Sequence, residues 1–292
     1  MKMILVCPGQ RSAVGFLTES APLISLPLLG ESMVECWLTH LAGQGVKEAR
    51  IVVTDRPEQV AALLGEGHRW GVRVEVIPEL RELSVEEARE RHHPAGEADW
   101  PPAPADAVMM DHLPDFPGRP LFQSYADWFA GLMEWMPLAG KDHRIGVKEI
   151  RPGVWCGRKT QISASARIIG PCWIGENVSL GPQAVIGPNV VLENQVVVDK
   201  ASEIVDSWVG PETFVGTLTK IENSLAWGNL LINWQTGSHT HVPDAFLMCS
   251  LVQNPSLRKS RSLSKRVSSA FQIAFGKPED PFAPMRGKLQ AE

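Results

Sequence analysis

Side chains able to do chemistry fall in three places. His239 and His241, in G-S-H-T-H-V-P-D, stand two residues apart. One of them could serve as a general base, or on a strand the two could share a metal, although no third ligand lies close in sequence. A cap or turn is the usual role of so polar a cluster. Asp111 closes the apolar run Ala107-Val108-Met109-Met110, which puts a hard carboxylate at a strand end, as a Mg2+ ligand requires; capping the turn before Pro114 is its ordinary alternative. Arg258, Lys259, Arg261, Lys265 and Arg266 fall within residues 257–275, where a helix would gather Leu263, Val267, Ala270, Phe271 and Ala274 on one side. A basic amphipathic helix in an acidic chain suits an anionic surface: a membrane face, a phosphate-bearing ligand or an acidic partner. A helix packed along the rest of the chain with its cations solvated is the other reading.

Composition narrows the classes. The net charge of −5 argues against general nucleic-acid binding. At 292 residues and 44% hydrophobic content, the chain can build two cores. The five cysteines (Cys7, Cys36, Cys156, Cys172, Cys249) form no C-x-x-C pair and show no metal spacing. The opening M-K-M-I-L-V-C-P-G has an apolar run too short for an export signal, and no stretch approaches the roughly 20 apolar residues of a membrane span. The expectation is a cytoplasmic protein with reduced thiols, touching a membrane only peripherally through its basic tail.

The elements that must hold these groups show first as a period. Ile162, Ile168, Ile174, Leu180, Ile186, Leu192, Val198 and Ile204 recur every six residues. Six residues turn an α-helix through about 600°, which smears side chains around its axis, so a helix is excluded. A fixed short period belongs to a solenoid whose rungs bury their apolar position against one another. The hexads, such as I-G-E-N-V-S and I-G-P-N-V-V, resemble the hexapeptide repeat of left-handed parallel β-helices, three hexads to a triangular coil. That hand departs from the usual right-handed crossover. Gly175, Gly181 and Gly187 are expected at the corners, where glycine turns most easily, with Pro182 and Pro188 after them. The frame extends back to Ile150 and Cys156. It slips by one residue near Trp208 and continues through Val209, Val215, Ile221 and Trp227. Four to five capped coils fit between 150 and about 232.

The first half reads differently. Ile4-Leu5-Val6, residues 49–53 and residues 72–76 are short apolar strands, with helices expected over 31–43 (stripe Met33, Val34, Trp37, Leu38, Leu41) and 57–64 (Pro57 in the first turn). That alternation is a parallel α/β layout. Residues 92–106 are a Pro-rich loop, with His92 and His93 solvated. Residues 121–137 form an amphipathic helix whose aromatic stripe (Phe122, Tyr125, Trp128, Phe129, Trp135) either packs on the coil or stacks on a sugar, packing being the usual role.

In the order of these elements, and in G-E-S-M-V-E-C-W-L-T-H-L-A-G-Q-G-V-K-E-A-R-I-V-V and L-L-G-E-G-H-R-W-G-V-R-V, the chain resembles the sugar-1-phosphate nucleotidyltransferases (sugar-nucleotide pyrophosphorylases). The resemblance covers about residues 3–80 and the repeats. It implies an α/β plus all-β chain, with a truncated Rossmann-like domain over 1–145 and a left-handed β-helix over 146–252; the basic helix and a loose tail, read from their own residues, follow over 253–292. It also implies nucleotide contacts at Gly9, Gln10 and Arg11, and Mg2+ at Asp111.

The signature loop departs from the family's G-x-G-x-R, P-x-T and P-K. Gly9 and Thr18 match, but Arg11 replaces the second glycine, Ala13 the arginine, Phe16 the proline and Leu23 the lysine. A leucine neither binds phosphate nor steadies a pyrophosphate leaving group. The stretch 112–149 is also short for a sugar site. The resemblance therefore implies a degenerate relative, a binding or regulatory platform for a nucleotide or sugar phosphate in nucleotide-sugar or polysaccharide synthesis, self-associating or partnering an active transferase. An active divergent nucleotidyltransferase and a β-helix acyltransferase using His241 as base remain the alternatives.

Overall fold

The computed structural model describes residues 1–19, 21–93, 100–139 and 146–253. The chain opens with β1 (Lys2–Val6), a hairpin of β2 (Pro27–Leu28) and β3 (Glu31–Ser32), α1 (Met33–Gly43), β4 (Glu48–Val53) and α2 (Pro57–Leu64). It continues through β5 (Arg73–Pro78), α3 (Val85–His92), β6 (Ala107–Met109) and α4 (Tyr125–Ala139). The sheet is parallel in the order β5-β4-β1-β6.

Helices cover both faces, so β1 is apolar and buried from Met3 to Val6. Met3, Leu5 and Cys7 join the core under α1 and α4, whereas Ile4 and Val6 pack with Val52, Leu83 and Ala88 on the α3 side. Helix α1 starts two residues later than the expected 31–43, because Glu31 and Ser32 pair with β2 and Ser32 is the N-cap. Ser32 and Glu35 close a reciprocal capping box, which satisfies amides that the first turn leaves open. Helix α4 starts at Tyr125 rather than 121, where Ser124 Oγ accepts the Asp127 amide at 3.0 Å. Its aromatic stripe is buried, and Phe129 stacks on Trp234 at 4.8 Å between ring centres. That stripe is core.

From Val154 onward, short strands stack in parallel into three sheets, an arrangement consistent with a β-helix. Ile174, Leu180, Ile186, Leu192, Val198 and Ile204 all point inside, joined by Val178, Ala184, Val190 and Val196. Three expectations about the frame need correction. Ile162 keeps register with Leu180 but is 37% exposed, because its strand is the edge of its sheet. Ile150 is not a rung: it lies on Lys148–Arg151, an exposed strand antiparallel to Val154–Cys156. Trp227 is not inside either. Val209 pairs with Ala226, so Ala226 fills the core and Trp227 sits one place out, edge-on to Trp208 at 5.8 Å. The cause is a shortened corner, with single residues Asp206 and Asn223 joining strands where Gly187-Pro188-Asn189 do so one coil earlier.

The corners correct the glycine reading as well. Left-handed backbone falls mostly two residues after the glycine position, at Asn177 (φ 56°), Gln183 (φ 60°) and Asn189 (φ 53°); of the three expected glycines only Gly187 (φ 103°) shares it. At Gly175 the need is space, because a Cβ would lie 2.7 Å from Asn194 Oδ1 and 2.8 Å from Asn194 N in the next coil.

The stack closes with antiparallel strands: Leu230–Asn233 and His239–His241 continue one sheet, and Met248–Ser250 pairs with Thr213–Val215 in another. Covered or polar edges of this kind resist edge-to-edge association. Among the described residues no helix is long and apolar enough to cross a membrane. The basic cluster Arg258, Lys259, Arg261, Lys265 and Arg266 lies outside the described residues.

The two halves share one core. Trp155, Trp173, Val191, Trp208 and Leu225 are consecutive register partners on one sheet of the coil. They point outward, away from the hexad core, and cluster with residues of α1 and α4. Outward positions of a solenoid are normally polar, so this ladder exists because the α/β half covers it.

Candidate functional site

A parallel sheet offers its binding crevice at the carboxyl ends of its strands, where the strand order reverses. Here the chain runs outward from β1 to β4 and β5, then returns to the other side of β1 for β6. The segments leaving those ends are Cys7 to Arg11, Thr54 to Arg56, Glu79 to Ser84, and Met110 to His112. They bring together Gly9, Arg11, Glu82 and Asp111.

Glu82 is the centre of this group. Its carboxylate receives a two-pronged bond from Arg11, Nη1 to Oε2 at 2.7 Å and Nη2 to Oε1 at 2.7 Å. The Gly9 amide donates to Oε2 at 2.8 Å. The Arg11 bonds hold the carboxyl below the usual glutamate range, helped by the Gly9 amide and opposed by burial and by the charge of Asp111. The same pairing raises the Arg11 guanidinium. Two of the three residues expected to contact a nucleotide thus converge, but on a carboxylate of the chain itself.

The rest of the loop after β1 is folded on itself. Residues Ser12–Thr18 form 3-10 turns, Thr18 Oγ1 donates to the Gly15 carbonyl at 2.8 Å, and Tyr125 Oη accepts the Phe16 amide at 3.2 Å. Leu23 is buried in the core. Gln10 reaches Asp55 at 3.4 Å, and Asp55 is paired with Arg56 at 2.8 Å. Gln10, Arg11, Ser12, Gly15, Thr18, Glu19, Asp55 and Arg56 line an open cleft of about 770 Å³. Both its arginines are paired with carboxylates.

Asp111 leaves the end of β6 beside this group. Its Oδ1 lies 2.8 Å from His112 Nδ1, and its carbonyl accepts the Leu121 amide at 2.9 Å. Mg2+ takes hard oxygens in octahedral array, usually one or two carboxylates together with waters and substrate phosphates. Both Glu82 oxygens are bonded to Arg11, and Oε2 to Gly9 as well. Among the described residues no three His, Cys, Asp or Glu gather as a metal site.

His239 and His241 stand on the edge strand of the coil and are exposed. His239 stacks on Phe16 with ring centres 3.5 Å apart, tying the last hairpin to the loop after β1. His92 is not solvated as expected: it is half-buried and bonded to Glu79 at 2.9 Å.

Glu193 went unnoticed in the sequence. It is fully buried where the halves meet, and accepts the Leu29 amide at 2.8 Å, the Gly30 amide at 2.7 Å and Trp208 Nε1 at 3.1 Å. Asn194 Nδ2 donates to the Gly30 carbonyl at 3.2 Å, so the β2–β3 turn is gripped from both sides. The available signal was an acid at the second hexad position, where preceding hexads carry Gly175, Gly181 and Gly187.

No protein-family model matches the chain, and no curated protein matches it in sequence.

Proposed function

We propose that the chain is a catalytically degenerate relative of the sugar-1-phosphate nucleotidyltransferases, a truncated nucleotidyltransferase-like domain on a left-handed β-helix, acting as a binding or regulatory platform in nucleotide-sugar or polysaccharide synthesis. The observation that carries this reading is the Arg11–Glu82–Gly9 triad. Transfer of a nucleotidyl group needs unpaired cations facing the departing diphosphate. Here Arg11 is paired with Glu82, and even with that pair opened it would stand without the family's arginine and lysine, whose positions hold Ala13 and the core residue Leu23. The open cleft beside Gln10 and Arg11 supports binding of a nucleotide or sugar phosphate without turnover. Within this reading the protein is cytoplasmic, and it self-associates or meets an active transferase at a membrane through Arg258, Lys259, Arg261, Lys265 and Arg266.

Titration with nucleoside triphosphates and nucleotide sugars, with and without Mg2+, is run beside a pyrophosphate-release assay. Saturable binding without pyrophosphate release is the expected outcome. Turnover by the wild-type chain that disappears in Asp111→Ala defeats the reading.

A further inference from the structure

We propose that Glu82 is a built-in competitor that fills a phosphate cradle made by the Gly9 amide and the Arg11 guanidinium, so that a diphosphate-bearing ligand binds only by displacing it. The proposal rests on the nucleotide-platform reading and assigns the regulation of that same cleft.

The cradle has the parts an anion site needs. The guanidinium fork of Arg11 matches two oxygens of one anion, and both prongs sit at 2.7 Å from the two Glu82 oxygens. A backbone amide points at the same place from Gly9, at 2.8 Å. A Cβ at position 9 would lie 3.0 Å from Glu82 Oε2, so any side chain there would crowd the anion. The site lies where the strand order reverses, next to the open cleft lined by Gln10, Ser12 and Thr18.

The carboxylate is held but not locked. The side chains of Arg11 and Glu82 remain 35% and 30% exposed, so water screens the pair. The neighbouring carboxylate of Asp111 works against the charge on Glu82. The backbone that carries Glu82 is anchored independently: Glu79 is held by Arg91 and His92, and Arg81 by Glu87. The side chain can therefore swing out by rotamer change while the chain around it stays in place. A diphosphate brings more negative charge than one carboxylate to the same fork, and it displaces Glu82 where a neutral sugar would not.

The test measures binding of inorganic pyrophosphate and of a nucleoside diphosphate by calorimetry at low salt, on the full chain. Glu82→Gln removes the charge and keeps the shape, and Glu82→Ala removes both. Either variant is expected to bind about tenfold more tightly than wild type, since the cradle no longer has to release an anion of its own. Arg11→Ala combined with Glu82→Gln is expected to return affinity to the wild-type level or below. Circular dichroism and the thermal midpoint report whether each variant is folded, and Glu82→Gln serves where Glu82→Ala does not fold. A folded Glu82→Gln chain with unchanged affinity overturns the proposal, as does a gain that survives loss of Arg11. Pyrophosphate release by the wild type instead defeats the platform reading and leaves the Glu82 comparison to be judged by itself.

Discussion

Replacing Glu193 tests whether one buried carboxylate joins the two halves of this protein. Glu193→Ala removes the acceptor of three donors: the Leu29 amide, the Gly30 amide and Trp208 Nε1. Each buried donor left facing an apolar group costs about 1–3 kcal/mol. Gly30 lines a cleft of about 640 Å³ at the seam, so water can reach its amide and relieve that share. Leu29 and Trp208 are fully buried and gain little relief. Set against these two losses is the desolvation of the carboxylate itself, which the mutation removes. The expected net loss is about 3 kcal/mol for Glu193→Ala. For Glu193→Gln, which keeps one acceptor oxygen and turns an amino group on a donor, it is about 1–2 kcal/mol. Urea unfolding followed by tryptophan fluorescence measures both, because Trp208 lies at the site; a shifted midpoint at constant slope is a change in stability. If Glu193→Gln is neutral or stabilising, the buried charge is a burden rather than a fastening and the argument fails.

Three further outcomes follow from the same structure. Gly175→Ala places a Cβ 2.7 Å from Asn194 Oδ1 and is expected to cost about 2 kcal/mol or more, whereas Asn177→Gly, at φ 56°, stays within about 1 kcal/mol in the same urea assay. Arg11 holds the Glu82 carboxyl below its ordinary value of 4.5, so its contribution to stability is present above that pH and lost as pH falls through the lower folded-state value. Arg11→Ala should therefore flatten the stability-versus-pH curve below about pH 4.5; an unchanged curve would show that the pair adds nothing. Burial pushes the Cys172 thiol up to about 12 and the buried Cys7 thiol well above its usual value, so a disulfide reagent at pH 8 should modify neither until the chain unfolds. Rapid labelling of either in the native protein, read by peptide mass, contradicts their placement.

Much of the architecture was written in local pattern. The hexad aliphatics repeat at one spacing because each rung meets the same environment, so Ile174 to Ile204 could be assigned to the inside without coordinates. The helix Pro57–Leu64 and the stripe of α1 were equally legible, since proline at a first turn and a helical apolar stripe depend only on neighbours a few residues away. So was the lack of charge at Ala13 and Leu23, which needs only residue type.

What lay beyond the sequence were contacts between residues far apart in the chain. The outward ladder of Trp155, Trp173, Val191, Trp208 and Leu225 is spaced by a whole coil, and its meaning depends on α1 and α4 lying over it. Glu193 and Leu29 are 164 residues apart, and Arg11 and Glu82 are 71 apart. An exposed Glu82 and one that fills a cradle read identically as letters. Only the convergence of loops from β1, β5 and β6 at one sheet edge makes that carboxylate the partner of Gly9 and Arg11, because strength and direction of a hydrogen bond are set by distance in space and not by spacing in sequence.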